Sequence, residues 1–143
     1  MISEFNQSGI SFRYPSNWQI ETENSGETEW TVSVQSPVTA FVLFSLRPDA
    51  RDPADLADQT LEALKTEYQE LDAENRVETI AGQLAIGHDI DFLTVDTPIT
   101  CRTRCLETFA GTLLVMCQTS EFDREQNDPV LRAIVASLRV EEE

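Results

Sequence analysis

Histidine and lysine are almost missing from this chain: His88 and Lys65 are the sole examples among 143 residues. A lone histidine excludes the multi-histidine metal sites. Lysine and arginine together number 10 against 26 acids, a formal net charge of -16. Such a surface repels phosphate backbones and anionic lipid headgroups alike. Nucleic acid and membrane insertion are thereby excluded, and a basic protein surface or a cation is left as the complementary partner. Cysteine is scarce too, with three residues in no CxxC spacing, which implies reduced thiols in a cytosol. No stretch approaches the roughly 18 apolar residues of a membrane span. The opening MISEFNQSGISF has an early acid and no basic leader, so a cytoplasmic location is expected. A Gly-rich phosphate loop, GxSxG, HExxH and an EF-hand loop are all absent, and neither a cofactor nor a metal is expected.

What the chain does have is hydrophobic patterning, with 41% hydrophobic residues and no repeat or linker, so residues 1–143 read as one domain with a single core. Ile10, Phe12 and Tyr14 alternate with Ser11 and Arg13 as a short half-buried strand. Pro15-Ser16-Asn17 turns the chain, and Trp18 behind the turn is expected to plug one end of the core. Glu21 to Glu29 is polar and reads as a loop. Trp30, Val32 and Val34 form one face of the next strand, and Ala40 to Leu46 is apolar on both faces, so it belongs inside a sheet with cover on each side.

Asp52-Pro53-Ala54-Asp55 is a helix start, with Asp as N-cap, Pro at the first helical position and an acid in the first turn. Ala57, Leu61, Leu64, Tyr68 and Leu71 then predict an amphipathic helix of about five turns laid on the sheet. Arg76 to Ile80 reads as a short strand, followed by three strand-like runs from Gly82 to Thr119 that form a central antiparallel meander. Leu113 to Cys117 is again apolar on both faces. Glu121 to Gln126 suggests a helical turn, Asp128-Pro129 a second helix start, and Ser137 to Val140 a last short strand.

Two groups of residues in the meander have chemical potential. Val95 to Pro98, taken as a four-residue hairpin loop, sets Asp91 opposite Arg102 and Asp89 opposite Arg104, with His88 against Cys105 on the other face. His88, Cys101, Cys105 and Glu107 then share one face. Cys101 and Cys105 lie about 13 Å apart along a strand at roughly 3.3 Å per residue, too far to share a metal ion. A Cys105–His88 dyad is within reach but lacks a recognisable orienting group or cleft, so these side chains read as core packing, with His88 hydrogen-bonded in the core and Glu107 reaching solvent. The Asp89, Asp91, Arg102, Arg104 ladder reads first as a solvated, charge-paired face. Its two arginines are also the one place in a chain this acidic where an acidic partner could dock, which makes the ladder the candidate partner-binding surface.

Taken in order, ISFRYPSNW at residues 10–18, TIAGQLA at 79–85 and IVASLRV at 134–140, around one long helix and a three-strand meander, resemble the PsbP-like superfamily. That superfamily groups the extrinsic photosystem II subunit with a Ran-binding nuclear-transport factor and with bacterial proteins, some of which chaperone type VI secretion effectors. The resemblance implies an α+β fold with an antiparallel sheet sandwiched between helices (α/β/α), no enzymatic activity, and a scaffold used for protein contacts. No functional residue carries over, because the matching positions are structural. The expectation is a non-enzymatic bacterial protein-binding domain, a chaperone or assembly factor, with a homodimer compatible with it. The alternatives are a thiol-dependent enzyme or redox protein using Cys105 and His88, and a carrier of a small hydrophobic ligand.

Overall fold

The computed structural model describes residues 1–24, 26 and 28–141. Ser25 and Glu27 of the expected loop, and Glu142 and Glu143 of the acidic end, lie outside the described residues. The two runs that are apolar on both alternations become β5 (Phe41–Arg47) and β9 (Gly111–Ser120), paired side by side in the interior of a seven-stranded sheet. β4 (Trp30–Gln35) and β3 (Gln19–Asn24) extend it on one side; β8 (Thr97–Thr108), β7 (Gln83–Thr94) and β6 (Leu71–Ile80) extend it on the other, every pairing antiparallel. A second, three-stranded sheet joins β2 (Ile10–Pro15) to β1 (Ile2–Gln7) on one side and β10 (Arg139–Val140) on the other.

Alternation along β9 shows how the layers close. Leu114 packs with Cys105 and with Leu56 and Ala57 of helix α1 (Pro53–Glu67), while Met116 joins Leu61, Leu64 and Tyr68 against Ile90, Phe92 and Cys101. The intervening Leu113, Val115 and Cys117 belong to the other core, with Val32, Val42 and Phe44, with Ile10 and Phe12 of the small sheet, and with Leu131 and Ile134 of helix α2 (Arg124–Ala136). Phe12 stacks on Phe44 at 4.1 Å between ring centroids, and Trp18 is buried in the same core. The chain is α+β and mainly antiparallel strand. α1 covers one face; the other is covered by three strands together with α2, a mixed layer rather than a helical one. Neither helix among the described residues is long and apolar enough to cross a membrane.

The departures from the sequence reading fall at sheet edges and element ends. Gln19–Asn24, which runs into the stretch Glu21 to Glu29 expected to loop, is the edge strand β3, and β6 runs from Leu71 instead of Arg76. An edge strand needs main-chain partners on one side only, so acidic side chains do not disqualify it. α1 ends at Glu67, because Tyr68 is extended, and Leu71 reaches the same apolar cluster from β6. Asp52 caps α1 as expected, accepting from the Asp55 amide at 2.7 Å. Asp128 does not cap α2: the helix starts at Arg124, Pro129 lies inside it, and the Asp128 carboxylate turns to two arginines. The β7–β8 hairpin turns at Val95-Asp96, with Thr94 facing Thr97. Each β7 residue therefore faces a β8 residue two places earlier than expected, a shift that keeps every side chain on its predicted face.

One carboxylate ties the turn between β4 and β5 to the start of α2. Asp123 accepts from the Thr39 amide and hydroxyl, from the hydroxyls of Thr119 and Ser120, and from the Asn127 amide group, at 2.6 to 3.2 Å. Burial alone would push its pKa up, but the hydrogen bonds from Thr39, Ser120 and Thr119 outweigh burial and hold it below the usual carboxylate value. A depressed carboxyl stabilises the fold above its unfolded pKa, about 3.9, and this contribution is lost as pH falls through the lower folded value. Asp123→Ala orphans several buried donors and is expected to cost about 3 kcal/mol at pH 6. The gap from wild type should narrow as pH falls toward 3, measured by urea denaturation at both pH values.

Candidate functional site

The predicted ladder is assembled around a glycine. A Cβ at Gly87 would lie 1.7 Å from the Thr103 carbonyl oxygen, so only glycine lets β7 and β8 approach this closely. Arg104, which faces Gly87 across the pair, is buried there. Its Nη1 donates to the Thr103 and His88 carbonyls at 2.8 and 3.2 Å, its Nε to Glu78 at 2.5 Å and its Nη2 to Asp89 at 2.9 Å. A guanidinium has five N–H groups, and most of this one's donating capacity is thus spent internally. Arg102 faces Asp89 rather than Asp91 but reaches α2 instead, donating to Asp128 at 2.6 Å, and Asp128 also accepts from Arg132 at 2.8 Å. Burial opposes the charge on Asp128, yet the hydrogen bonds from Arg102 and Arg132 outweigh it and lower its pKa. Asp91 faces Thr100 and accepts from its hydroxyl at 3.2 Å.

Asp89, Arg102 and Arg104 therefore stand together, beside a cleft of about 470 Å³ between α2 and the sheet, with Val115, Cys117, Val135 and Ala136 among its lining residues. Their charges latch strand to strand and helix to sheet. Gly87→Ala forces the Thr103 backbone to move and unseats Arg104; the expected loss is on the order of 3 kcal/mol, read from the urea midpoint.

The thiol and imidazole candidates are separated by the same register. Cys105 faces Ile86, and His88 faces Thr103. The His88 amide donates to the Thr103 hydroxyl at 3.1 Å, but its buried imidazole Nδ1 has no hydrogen-bond partner among the described residues, which corrects the expectation of a hydrogen-bonded core histidine. Glu107 is exposed. Among the described residues no group of histidine, cysteine and acidic side chains is arranged to hold a metal ion. All three cysteines are free and buried. Burial pushes Cys101 and Cys105 up to about 12 and Cys117 to about 11, so almost none is thiolate at neutral pH. Iodoacetamide at pH 8 is expected to leave all three unmodified in the folded protein and to alkylate all three in urea, as read by intact mass.

A second assembly, which the sequence reading missed, sits at the end of the sheet where β7 stops and β8 begins. Val38, Leu93, Val95 and Phe122 are 62%, 68%, 100% and 82% exposed. Thr39 bonds to Asp123, which places the Val38 turn beside Phe122, and the Glu121 amide donates to the Pro98 carbonyl at 3.0 Å, which joins that turn to the hairpin carrying Leu93 and Val95. A cleft of about 810 Å³ opens beside this rim, lined by Tyr68, Leu71, Phe92, Leu93, Pro98 and Ile99 together with Glu70, Asp72, Asp91, Glu121 and Arg124. Tyr68 and Phe92 stack at 4.1 Å on its wall. The available signal was an apolar residue inside each polar turn sequence: SPVT, TVDT and EFD.

No protein-family model and no curated protein matches the chain. Solved structures do. Cyanobacterial PsbP from Synechocystis sp. PCC 6803 aligns with a TM-score of 0.62 at 14% identity over 98% of this chain and 92% of that one. A Pseudomonas aeruginosa protein of unknown function aligns at 0.60 and 16% over 99% of both chains. LpqN, involved in cell envelope biogenesis of Mycobacterium tuberculosis, aligns at 0.58 and 11% over 99% of this chain and 92% of that one. At these identities the likeness is one of fold, and it spans the whole molecule: the chain has the PsbP-like fold.

Proposed function

We propose that this chain is a non-enzymatic protein-binding domain, serving as a chaperone or assembly factor, and that it docks its partner at the rimmed end of the seven-stranded sheet. The observation that carries this reading is the rim itself. Val38, Leu93, Val95 and Phe122 are apolar, exposed and joined through hydrogen-bonded turns, and clustered exposed apolar residues mark interaction sites where scattered ones do not. The arginine network serves as the support behind this surface: Asp89, which it holds, stands two residues along β7 from Asp91, which lines the cleft beside the rim. On this proposal the fold is a variant of the α/β/α sandwich whose second helical layer also contains strands. Charged side chains in both clefts favour a protein over a small hydrophobic ligand.

The test pairs Val95→Ser with Phe122→Ser in one variant and uses Leu84→Ser, an exposed apolar residue at the opposite end of β7, as the control. All these side chains are exposed, so stability should stay within about 0.5 kcal/mol of wild type. Affinity capture from the native cell is expected to recover a protein with wild type and with Leu84→Ser and to lose it with the rim variant. Equal recovery by all three refutes the rim as the docking surface.

A further inference from the structure

Two neighbouring rungs of the sheet carry the same charge pattern and are treated differently. Across β6 and β7, Glu74 lies directly opposite Asp89, and two residues along, Asp72 lies directly opposite Asp91. Like charges placed directly across a strand pair destabilise it. At the first rung the chain supplies its own answer. Arg76 bridges the two carboxylates, with Nη2 on Glu74 at 2.6 Å and Nε on Asp89 at 2.9 Å, and Arg104 adds a second bond to Asp89. At the second rung no basic side chain among the described residues forms an ion pair with either acid. Asp72 and Asp91 both line the cleft beside the apolar rim, where Glu70 and Glu121 add negative charge against Arg124 alone.

From this difference we infer that the partner's docking segment is basic as well as apolar: an arginine or lysine of the segment enters the cleft and bridges Asp72 and Asp91 as Arg76 bridges Glu74 and Asp89, while neighbouring aliphatic or aromatic residues cover Leu93, Val95 and Phe122. This rests on the rim being the docking surface. The stacked Tyr68 and Phe92 line the α1 side of the cleft and the rung lines the opposite side, so the unanswered charge of the rung selects the occupant. A guanidinium suits the rung best, because its planar fork spans two carboxylates where an ammonium is a single point.

The probes are three peptides of alternating leucine with arginine, with glutamine or with glutamate, titrated into the ¹⁵N-labelled full chain. The arginine peptide is expected to shift the amides of Asp72, Asp91, Leu93 and Phe122 and to bind at least tenfold more tightly than the glutamine peptide. Asp72→Asn with Asp91→Asn should weaken the arginine peptide about tenfold, leave the glutamine peptide unchanged, and leave the melting temperature equal to or above wild type. Glu21→Gln with Glu23→Gln, remote on β3, removes the same charge and should change neither affinity. Equal weakening by both pairs, or equal affinity for the arginine and glutamine peptides, overturns the inference while the rim reading stands if Leu93 and Phe122 respond. No response at the rim to either peptide removes both.

Discussion

A strand that is apolar on both alternations must be covered on both faces, and two such strands, β5 and β9, lie side by side in this molecule. Most of the architecture follows from that requirement. α1 covers the face carrying Leu114 and Met116. The small sheet and α2 together cover the face carrying Val115 and Cys117. Because the cover differs on the two faces, the molecule has unequal sides, and α2 leaves the outer strands β6 to β8 partly uncovered on its own side. Into that space fall the charges.

How an acidic chain spends few cations is the second constraint. Arg102, Arg104 and Arg132 line the cleft between α2 and the outer strands, and Arg76 ties β6 to β7 at Asp89, so four of the cations answer carboxylates in this part of the molecule. Exposed ion pairs contribute little, but Arg104 is buried among carbonyl oxygens, and leaving those acceptors and its neighbouring acids unpaired is costly. The cations stabilise the scaffold first. Whatever acid they leave unanswered becomes a feature of the surface.

How much of this was legible from sequence depends on whether the signal was local. The doubly apolar runs, the Asp52 cap and the alternation of β7 each declare themselves within a few residues, and the structure has them where expected. The charged ladder was legible in three of its members, Asp89, Arg102 and Arg104, but not in its pairing, because Val95-Asp96 makes a tighter turn than Val95 to Pro98, and a two-residue shift leaves the face pattern unchanged. β3 and the first half of β6 were hidden because an edge strand is held by its neighbour's backbone, which no side-chain pattern reports. Asp128-Pro129 misled for a related reason. The carboxylate that would cap a helix found two arginines instead, Arg132 one turn along the same helix and Arg102 from β8, which only the fold brings near. Val38, Val95 and Phe122 of the rim were each spelled out in a turn, yet those turns are joined only through Asp123 and the Glu121–Pro98 bond.

The distribution of charge also bears on which kind of partner this end suits. Both outer strands of the large sheet carry acids, Glu21 and Glu23 on β3 and Asp72, Glu74 and Glu78 on β6, and charged edge strands resist pairing with a second chain. Two copies meeting at the rimmed end would bring an unanswered Asp72–Asp91 rung from each into proximity, and with a net charge of -16 on each chain the repulsion acts well before contact, over a screening length of about 8 Å at physiological salt. A basic partner experiences the opposite field. Attraction of that kind raises association rates and discriminates among partners more than it deepens affinity, so the apolar rim would hold what the acidic field selects.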